Sequence, residues 1–190
     1  MRMGERRRTA TEAEASALAS GIRLRIIRLT HHEGLTNKEI AQRLDRDPAT
    51  TLHHVRKLVD TGFLAAERPR RGARGAKEIP YRSTGLSWRI GGPWNAPVED
   101  AMLEAFLTEI ADLDRAELHQ TRVVARLPEG RLAEFRARLT ELIDEFAAGD
   151  EQDCDAASAA TSDDAAGHAT GGGAEPPDAT AVYLALYPSR

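Results

Sequence analysis

Polar side chains with the spacing of one helical face lie in the segment that follows Asp47. They recur at positions i, i+3, i+4 and i+7: Thr50, His53, His54 and Lys57. This spacing places them on one side of a helix, where their groups can exchange hydrogen bonds with base edges or attract phosphate. The major groove of DNA is wide enough to admit a helix, so the pattern predicts base contact there. We expect Arg56 and Lys57 to lie toward the phosphates.

The opposite side of this helix is apolar and predicts packing on a protein core. Its inward residues are Thr51, Leu52, Val55, Leu58 and Val59. Asp47 is a typical N-cap, Pro48 fits the first helical position because no backbone N–H is needed there, and Gly62 is a typical stop. The predicted recognition helix therefore spans residues 48–61.

Two helical segments are predicted before the recognition helix. Apolar residues at helical spacing predict the first from about Thr11 to His32. The sequence Thr36-Asn-Lys-Glu39 is a capping box, in which the threonine hydroxyl accepts a bond from a first-turn N–H and the glutamate reaches back. Thr36 could also offer its hydroxyl and the N–H groups of that turn to a DNA phosphate, and both roles stay open.

A basic hairpin is predicted after the recognition helix. Two extended stretches, Phe63–Glu67 and Glu78–Ser83, flank a loop rich in glycine and arginine. The loop, residues 68–78, carries five cations: Arg68, Arg70, Arg71, Arg74 and Lys77. Arginine against phosphate or in a narrow minor groove strengthens binding to any sequence and makes it salt-dependent. Three helices followed by a hairpin is the element order of a winged helix-turn-helix, which we assign to residues 11–85.

The fold class predicted for the whole chain is α+β: the N-terminal winged helix-turn-helix is followed by helices and by a small C-terminal strand-helix-strand module. The remaining segments are a flexible basic arm at 1–10, a connector at 86–97, dimerisation or effector helices with a strand at 98–148, a disordered acidic linker at 149–178 and a C-terminal strand at 179–190. The linker is acidic and almost free of large apolar residues, so it cannot bury a core.

Within that second half, apolar patterns predict two helices and two strands. Helices are expected at about 98–118 and 128–148, and a strand at Arg122–Leu127 would pair with Ala181–Tyr187. The second helix carries an apolar seam at spacings of three and four: Leu132, Phe135, Leu139, Leu142 and Phe146. Two heptads are too few to establish a coiled coil by themselves.

The charge of the chain is divided unevenly between its halves. Residues 1–90 contain 19 lysines and arginines against 10 acidic residues, whereas residues 91–190 contain 7 against 20. The net charge of −4 therefore hides a basic half and an acidic half. This asymmetry indicates that the first half is suited to a polyanionic partner.

Four segments, taken in order, resemble the ArsR-type winged helix-turn-helix repressors. They are Ile22–Leu29, Leu35–Leu44, Ala49–Leu58 and Thr61–Leu64, within a resemblance that covers about residues 15–85. The resemblance implies a homodimeric bacterial transcription regulator that binds pseudo-palindromic operators. It places Thr50, His53, His54 and Arg56 on DNA, with the wing contact at Arg70 to Lys77. The Cys-x-Cys site of the founding metal sensors is absent, because the lone cysteine is Cys154.

Catalytic and metal chemistry find little support in the sequence. There is no P-loop, no Gly-x-Gly-x-x-Gly motif after a strand and no Gly-x-Ser-x-Gly elbow. The adjacent pairs His31-His32 and His53-His54 point about 100° apart on a helix and suit one ion poorly. We therefore expect no enzyme activity, no cofactor and no metal. No apolar run is long enough to span a membrane, and a cytoplasmic location is expected.

The function expected from the sequence is that of a DNA-binding transcriptional regulator. We expect a homodimeric repressor whose recognition helix enters the major groove of double-stranded DNA. An unidentified small-molecule effector is a further candidate partner, in a binding or catalytic C-terminal half. The alternative is a winged helix that serves as a protein–protein interaction module, with the acidic half as its working surface.

Overall fold

The computed structural model describes residues 7–72, 75–91, 94–111, 113–114, 116–121, 123–160 and 181–186. The chain divides into two compact units, Met1–His119 and Gln120–Arg190, which are described separately. The helices are α1 Glu12–Leu18, α2 Gly21–Leu29, α3 Asn37–Arg43, α4 Pro48–Asp60, α5 Leu86–Arg89, α6 Ala96–Ala111 and α7 Glu129–Ala160. The strands are β1 Arg8–Thr9, β2 Leu35–Thr36, β3 Leu64–Ala66, β4 Arg70–Arg71, β5 Lys77–Glu78, β6 Pro80–Ser83 and β7 Ile90–Gly91.

The first predicted helix is divided into α1 and α2. Thr11 caps α1 in a capping box with Glu14, and Ser20 has extended backbone angles before α2 begins. Helix α6 lies close to the start of α2: a Cβ on Gly21 would lie 3.3 Å from the backbone nitrogen of Ala105. The apolar period continues across the break, which is why the sequence pattern predicts one helix instead of two.

The helix-turn-helix agrees with its predicted boundaries. Thr36 and Glu39 form the capping box of α3, and Asp47 caps α4 by accepting from the N–H groups of Ala49 and Thr50, both at 3.0 Å. Helix α4 ends at Asp60, and Gly62 follows with a φ of +79°. A residue with a Cβ is strained at that angle, so glycine is suited to this stop.

The hairpin predicted after α4 is present and joins a third strand. Strands β2, β6 and β3 form an antiparallel sheet in that order, with Leu64 opposite Ser83 and Leu35 opposite Tyr81. Farther along the hairpin, β4 and β5 pair separately, with Arg71 opposite Lys77. The wing therefore has a sheet at its base and a short two-stranded tip.

One apolar core holds these helices and the sheet together. Its largest fully buried apolar side chains are Phe63, Leu18, Ile26, Ile40, Leu58, Ile90, Val55 and Val98. The set comes from α1, α2, α3, α4, the sheet region, β7 and α6, so burial of these side chains fixes α4 against the rest of the unit.

The flexible arm expected at 1–10 is described only at residues 7–10, where it makes defined contacts, and residues 1–6 lie outside the described residues. Arg8 and Thr9 pair in parallel with Ile90 and Gly91. The Arg8 guanidinium also binds the Glu14 carboxylate, with Nη2 2.5 Å from Oε1. The buried carboxylate of Glu14 therefore anchors this part of the arm. The composition of the arm does not predict this ion pair.

Helix α6 also differs from its predicted extent. It begins at Ala96, where Asn95 Oδ1 accepts from the N–H of Val98 at 3.3 Å, and it ends at Ala111. Residues 116–117 form a turn in which Asp114 Oδ1 accepts from the N–H of Ala116 at 3.1 Å. Aspartate side chains compete with helical backbone bonds in this way, which explains the early end of the helix.

Among its described residues, the second unit has the predicted helix and no strand in the two segments where strands are expected. Residues 123–128 and 181–186 have no strand, and Val123 and Val124 are 77% and 69% exposed. A strand needs backbone partners, and these described segments have none in a sheet. Helix α7 extends to Ala160, into the predicted linker, since alanine, glutamate and glutamine favour helix. Residues 161–178 of that linker lie outside the described residues.

Candidate nucleic-acid interface

The outward face of α4 presents polar and basic groups to solvent. Thr50, His53 and Arg56 are exposed, and Lys57 is half-buried. The Thr50 hydroxyl lies 3.3 Å from Asp47 Oδ1, at the start of the helix. The structure thus brings these four predicted residues onto one accessible side of the recognition helix.

His54 lies at the edge of this face, toward the body of the domain. It is half-buried, and its Nδ1 atom is buried without a hydrogen-bond partner among the described residues. Burial lowers the pKa of His54, and the neighbouring charges of Arg23, His53 and Arg46 lower it further. The imidazole is therefore neutral at pH 7, so it can serve as a hydrogen-bonding group but adds no charge.

Several cations of α4 and the wing have no acidic partner. Within the described part of the chain, no side-chain hydrogen bond or ion pair involves these five: Arg56, Lys57, Arg68, Arg71 and Lys77. Other arginines of the same unit are paired, for example Arg43 with Glu33 and Arg82 with Glu67, each at 2.5 Å. Arg25, Lys38 and Arg46 of the same unit also lack such a contact among the described residues, so α4 and the wing carry five of the eight cations of this kind.

Arg70 is the exception among the wing cations. Its Nη2 atom donates to both oxygens of Glu39, at 2.6 and 2.7 Å, and its Nε lies 3.9 Å from Glu78 Oε2. The sequence does not indicate the Glu39 contact, because 31 residues separate the two partners. Arg70 therefore joins the wing tip to the start of α3 in this structure.

Thr36 uses its polar groups within the protein. Thr36 is buried, and its hydroxyl accepts a hydrogen bond from the N–H of Glu39 at 3.3 Å. The Thr36 N–H and hydroxyl both donate to Glu39 Oε2, at 2.7 and 2.9 Å. These bonds, with the backbone bond first, lower the pKa of Glu39, and Arg70 lowers it further. The cap is present, and a phosphate contact at Thr36 stays a prediction.

Asn37, Arg23 and Arg46 were not singled out by the sequence. Asn37 Nδ2 donates to the carbonyl of Pro48 at 2.8 Å, which joins the starts of α3 and α4. Arg23 Nε donates to the carbonyl of Ala17 at 2.5 Å, and its charge acts on His54. The sequence alone does not predict these contacts, because each of them depends on how separate helices pack against one another. The predicted wing residue Arg74 lies outside the described residues.

No group of three histidine, cysteine, aspartate or glutamate side chains among the described residues is placed to hold a metal ion. None of the described helices combines the length and apolar character that crossing a membrane requires.

Known proteins share part of this arrangement. Residues 18–66, from the end of α1 to β3, match a family described as "Helix-turn-helix domain". Among curated proteins, none matches the chain.

Solved structures give matches of low overall similarity. Reduced HlyU from Vibrio cholerae is 17% identical, with a TM-score of 0.32, over 50% of this chain and 84% of that one. The homodimeric winged helix-turn-helix DNA-binding domain Mb0332 from Mycobacterium bovis, a possible ArsR-family transcriptional regulator, is 22% identical, with a TM-score of 0.32, over 57% and 82%. A MepR variant from S. aureus bound to an oligodeoxyribonucleotide is 16% identical, with a TM-score of 0.30, over 72% and 79%.

Likenesses at these TM-scores carry no conclusion about this chain. The family match is independent of them and covers the helices α2, α3 and α4. In domains of this class the second helix of the pair is the one that enters the major groove. The chain thus has a helix-turn-helix, with α4 as the second helix of the pair, followed by the hairpin β3 to β6 in the position of a wing.

Proposed function

We propose that this protein is a transcriptional regulator that binds double-stranded DNA through α4 and the wing. The observation that carries the proposal is the concentration of unpaired cations on those two elements. An exposed cation without a protein partner is free to displace a counterion from phosphate, and each such contact adds to affinity. The helix-turn-helix match supports the same conclusion from sequence.

Within the proposed interface, different side chains have different tasks. Thr50 and His53 are exposed at the start and middle of α4, so we assign them to base edges in the major groove. We assign phosphate contact to Arg56, Lys57, Arg68, Arg71 and Lys77. His54 is neutral and half-buried, so we place it at the rim of the groove as a hydrogen-bonding group. Arg74 stays a predicted wing contact.

We further propose a homodimer formed through α6. The inner side of this helix buries Val98, Ala101 and Ala105, whereas its outer side leaves Leu103 and Leu107 43% and 53% exposed. A second copy of the same surface would remove these side chains from water. Two recognition helices would then meet successive major grooves about 34 Å apart on a two-fold-symmetric site. Such a dimer would repress by covering a promoter, in the manner implied by the ArsR-type resemblance.

The test is retention of genomic DNA fragments by the purified protein at two salt concentrations, followed by sequencing. Enrichment of one two-fold-symmetric motif that weakens as salt rises would support a specific dimeric regulator. Retention without a motif would reduce the proposal to electrostatic DNA binding. No retention at low salt by the ligand-free protein would contradict it.

A further inference from the structure

We propose that Arg70 is a positioning residue, which holds the wing tip against α3 so that its neighbouring cations face DNA. The proposal rests on the DNA-binding function proposed above and changes the role of one residue within it. The proposal is based on the hydrogen bonds that Arg70 Nη2 donates to both carboxylate oxygens of Glu39, at 2.6 and 2.7 Å. The charge of Arg70 is thus paired within the protein, whereas Arg71 beside it has no acidic partner among the described residues.

Glu39 is a fixed anchor for this contact. Its Oε2 atom already accepts from the N–H and hydroxyl of Thr36, at 2.7 and 2.9 Å, in the capping box of α3. A carboxylate held in this way has lost its rotational freedom before Arg70 binds it. The ion pair therefore costs less side-chain entropy than a pair of two free surface side chains.

The wing tip has few other connections to the domain. At the base of the hairpin the N–H of Glu67 donates to the carbonyl of Pro80 at 2.9 Å. The tip itself consists of strands of two residues each, closed by the N–H of Gly72 donating to the carbonyl of Ala76 at 2.8 Å. Pairs this short are weak by themselves, so the tip can pivot on the chain at residues 68–69 and 79. The Arg70–Glu39 contact opposes that movement.

Two proposed phosphate contacts depend on where the tip lies. Arg71 and Lys77 belong to the segment that Arg70 holds, and both are exposed. A tip free to pivot would have to be ordered on binding, and that entropy would be subtracted from affinity. Arg70 itself lies between Glu39 and Glu78, so its charge is largely compensated and it releases few counterions from DNA.

The first experiment is amide hydrogen exchange of the full chain without DNA, so that it does not depend on the proposed function. Arg70→Gln and Glu39→Gln should each speed exchange at the described tip residues, 70–72 and 75–78, by about two- to fivefold, the range of an exposed ion pair. The double variant should exchange no faster than either single variant, and Arg70→Lys should restore part of the protection. Glutamine at position 39 can still accept from Thr36, so α3 keeps its cap. The matched control, Arg71→Gln, should leave exchange unchanged.

The second experiment is the salt dependence of DNA binding by the same variants. Arg71→Gln should lower the slope of log K against log salt by about one, because a phosphate contact is lost. Arg70→Gln should weaken binding by about two- to fivefold with the slope unchanged. Unchanged exchange at the tip in Arg70→Gln, or a fall of its slope equal to that of Arg71→Gln, would overturn the positioning role. Altered exchange with no DNA binding by any variant would retain the contact and contradict the proposed function instead.

Discussion

The exposed imidazole of His53 and the half-buried imidazole of His54 differ in environment although they are neighbours in sequence. Helical spacing places both on the polar side of α4, but it cannot show that the edge of this side faces Arg23 of α2. Thr50 and His53, two of the four predicted members of this face, are exposed, and so is Arg56, which the sequence places toward the phosphates. The sequence misses the inward position of His54, because that position depends on the packing of two helices.

We expect His53→Ala to reduce discrimination between DNA sequences. Loss of one base-edge hydrogen bond should lower the preference for the specific site by about fivefold, equivalent to about 1 kcal/mol. Competition binding of specific and random duplexes measures this ratio. Arg56→Ala is the matched control, since loss of a phosphate contact should weaken both duplexes alike. A ratio unaffected by His53→Ala would remove this residue from the base-reading set.

The ion pair of Arg8 and Glu14 predicts a loss of stability in acid. The hydrogen bonds from Arg8, followed by those from Thr11, hold the pKa of Glu14 at about 2, below its ordinary value of 4.5. Because the folded protein favours the charged carboxylate, the stabilisation is complete above pH 4.5 and is lost as pH falls toward 2. Thermal melting should show wild type above Glu14→Gln at pH 6, with a smaller gap at pH 3. A gap that is constant over this range would contradict the assignment.

At the level of helices and strands, local signals in the sequence were sufficient wherever a cap or a turn residue fixes an end. Asp47, Thr36 and Gly62 stand where the structure has the ends of α3 and α4. The break between α1 and α2 is missed because the apolar period continues across it, and the approach of α6 to Gly21 just after the break has no local signal. The length of α7 was underestimated, since acidic composition suggested disorder where alanine and glutamate favour a helix.

Removal of the cap of α4 should destabilise the recognition helix. Asp47→Ala deletes the acceptor for two first-turn N–H groups, at a cost of about 1 kcal/mol. This corresponds to a fall in Tm of about 4–8 °C for a domain of this size. The matched control is Asp60→Ala at the other end of α4, where an acidic residue opposes the helix dipole and its loss should not lower Tm. Equal losses in the two variants would contradict the capping role.

At the level of the whole molecule, the charge division between the halves agrees with where the unpaired cations lie. The surface that would join two copies in the proposed dimer is not fixed by the sequence, because α6 and α7 both carry exposed leucines. An apolar stripe predicts burial but does not name the partner that covers it. The dimer is therefore best examined by changing one leucine on each helix.

Leu107→Glu should convert the proposed dimer to a monomer. A carboxylate on the outer side of α6 would be desolvated in the interface, at a cost that exceeds what the remaining contacts can offset. Sedimentation equilibrium measures the change, and the specific site should be bound more weakly because only one half-site is engaged. Leu142→Glu in α7, where the native leucine is 51% exposed, is the control and should remain dimeric. The reverse outcome would move the interface to α7.

The parallel pairing of Arg8 and Thr9 with Ile90 and Gly91 affects where the boundaries of a minimal folded fragment should be placed. Ile90 and Val98 are both buried in the core, beyond the end of the wing. A fragment cut at 11–85, the limits that sequence motifs suggest, would remove α6 and leave α1 and α2 with an open apolar side. A fragment of residues 7–111 keeps that side closed. A transfer of the helix-turn-helix to another protein should therefore include β1, β7 and α6 as well as the motif itself.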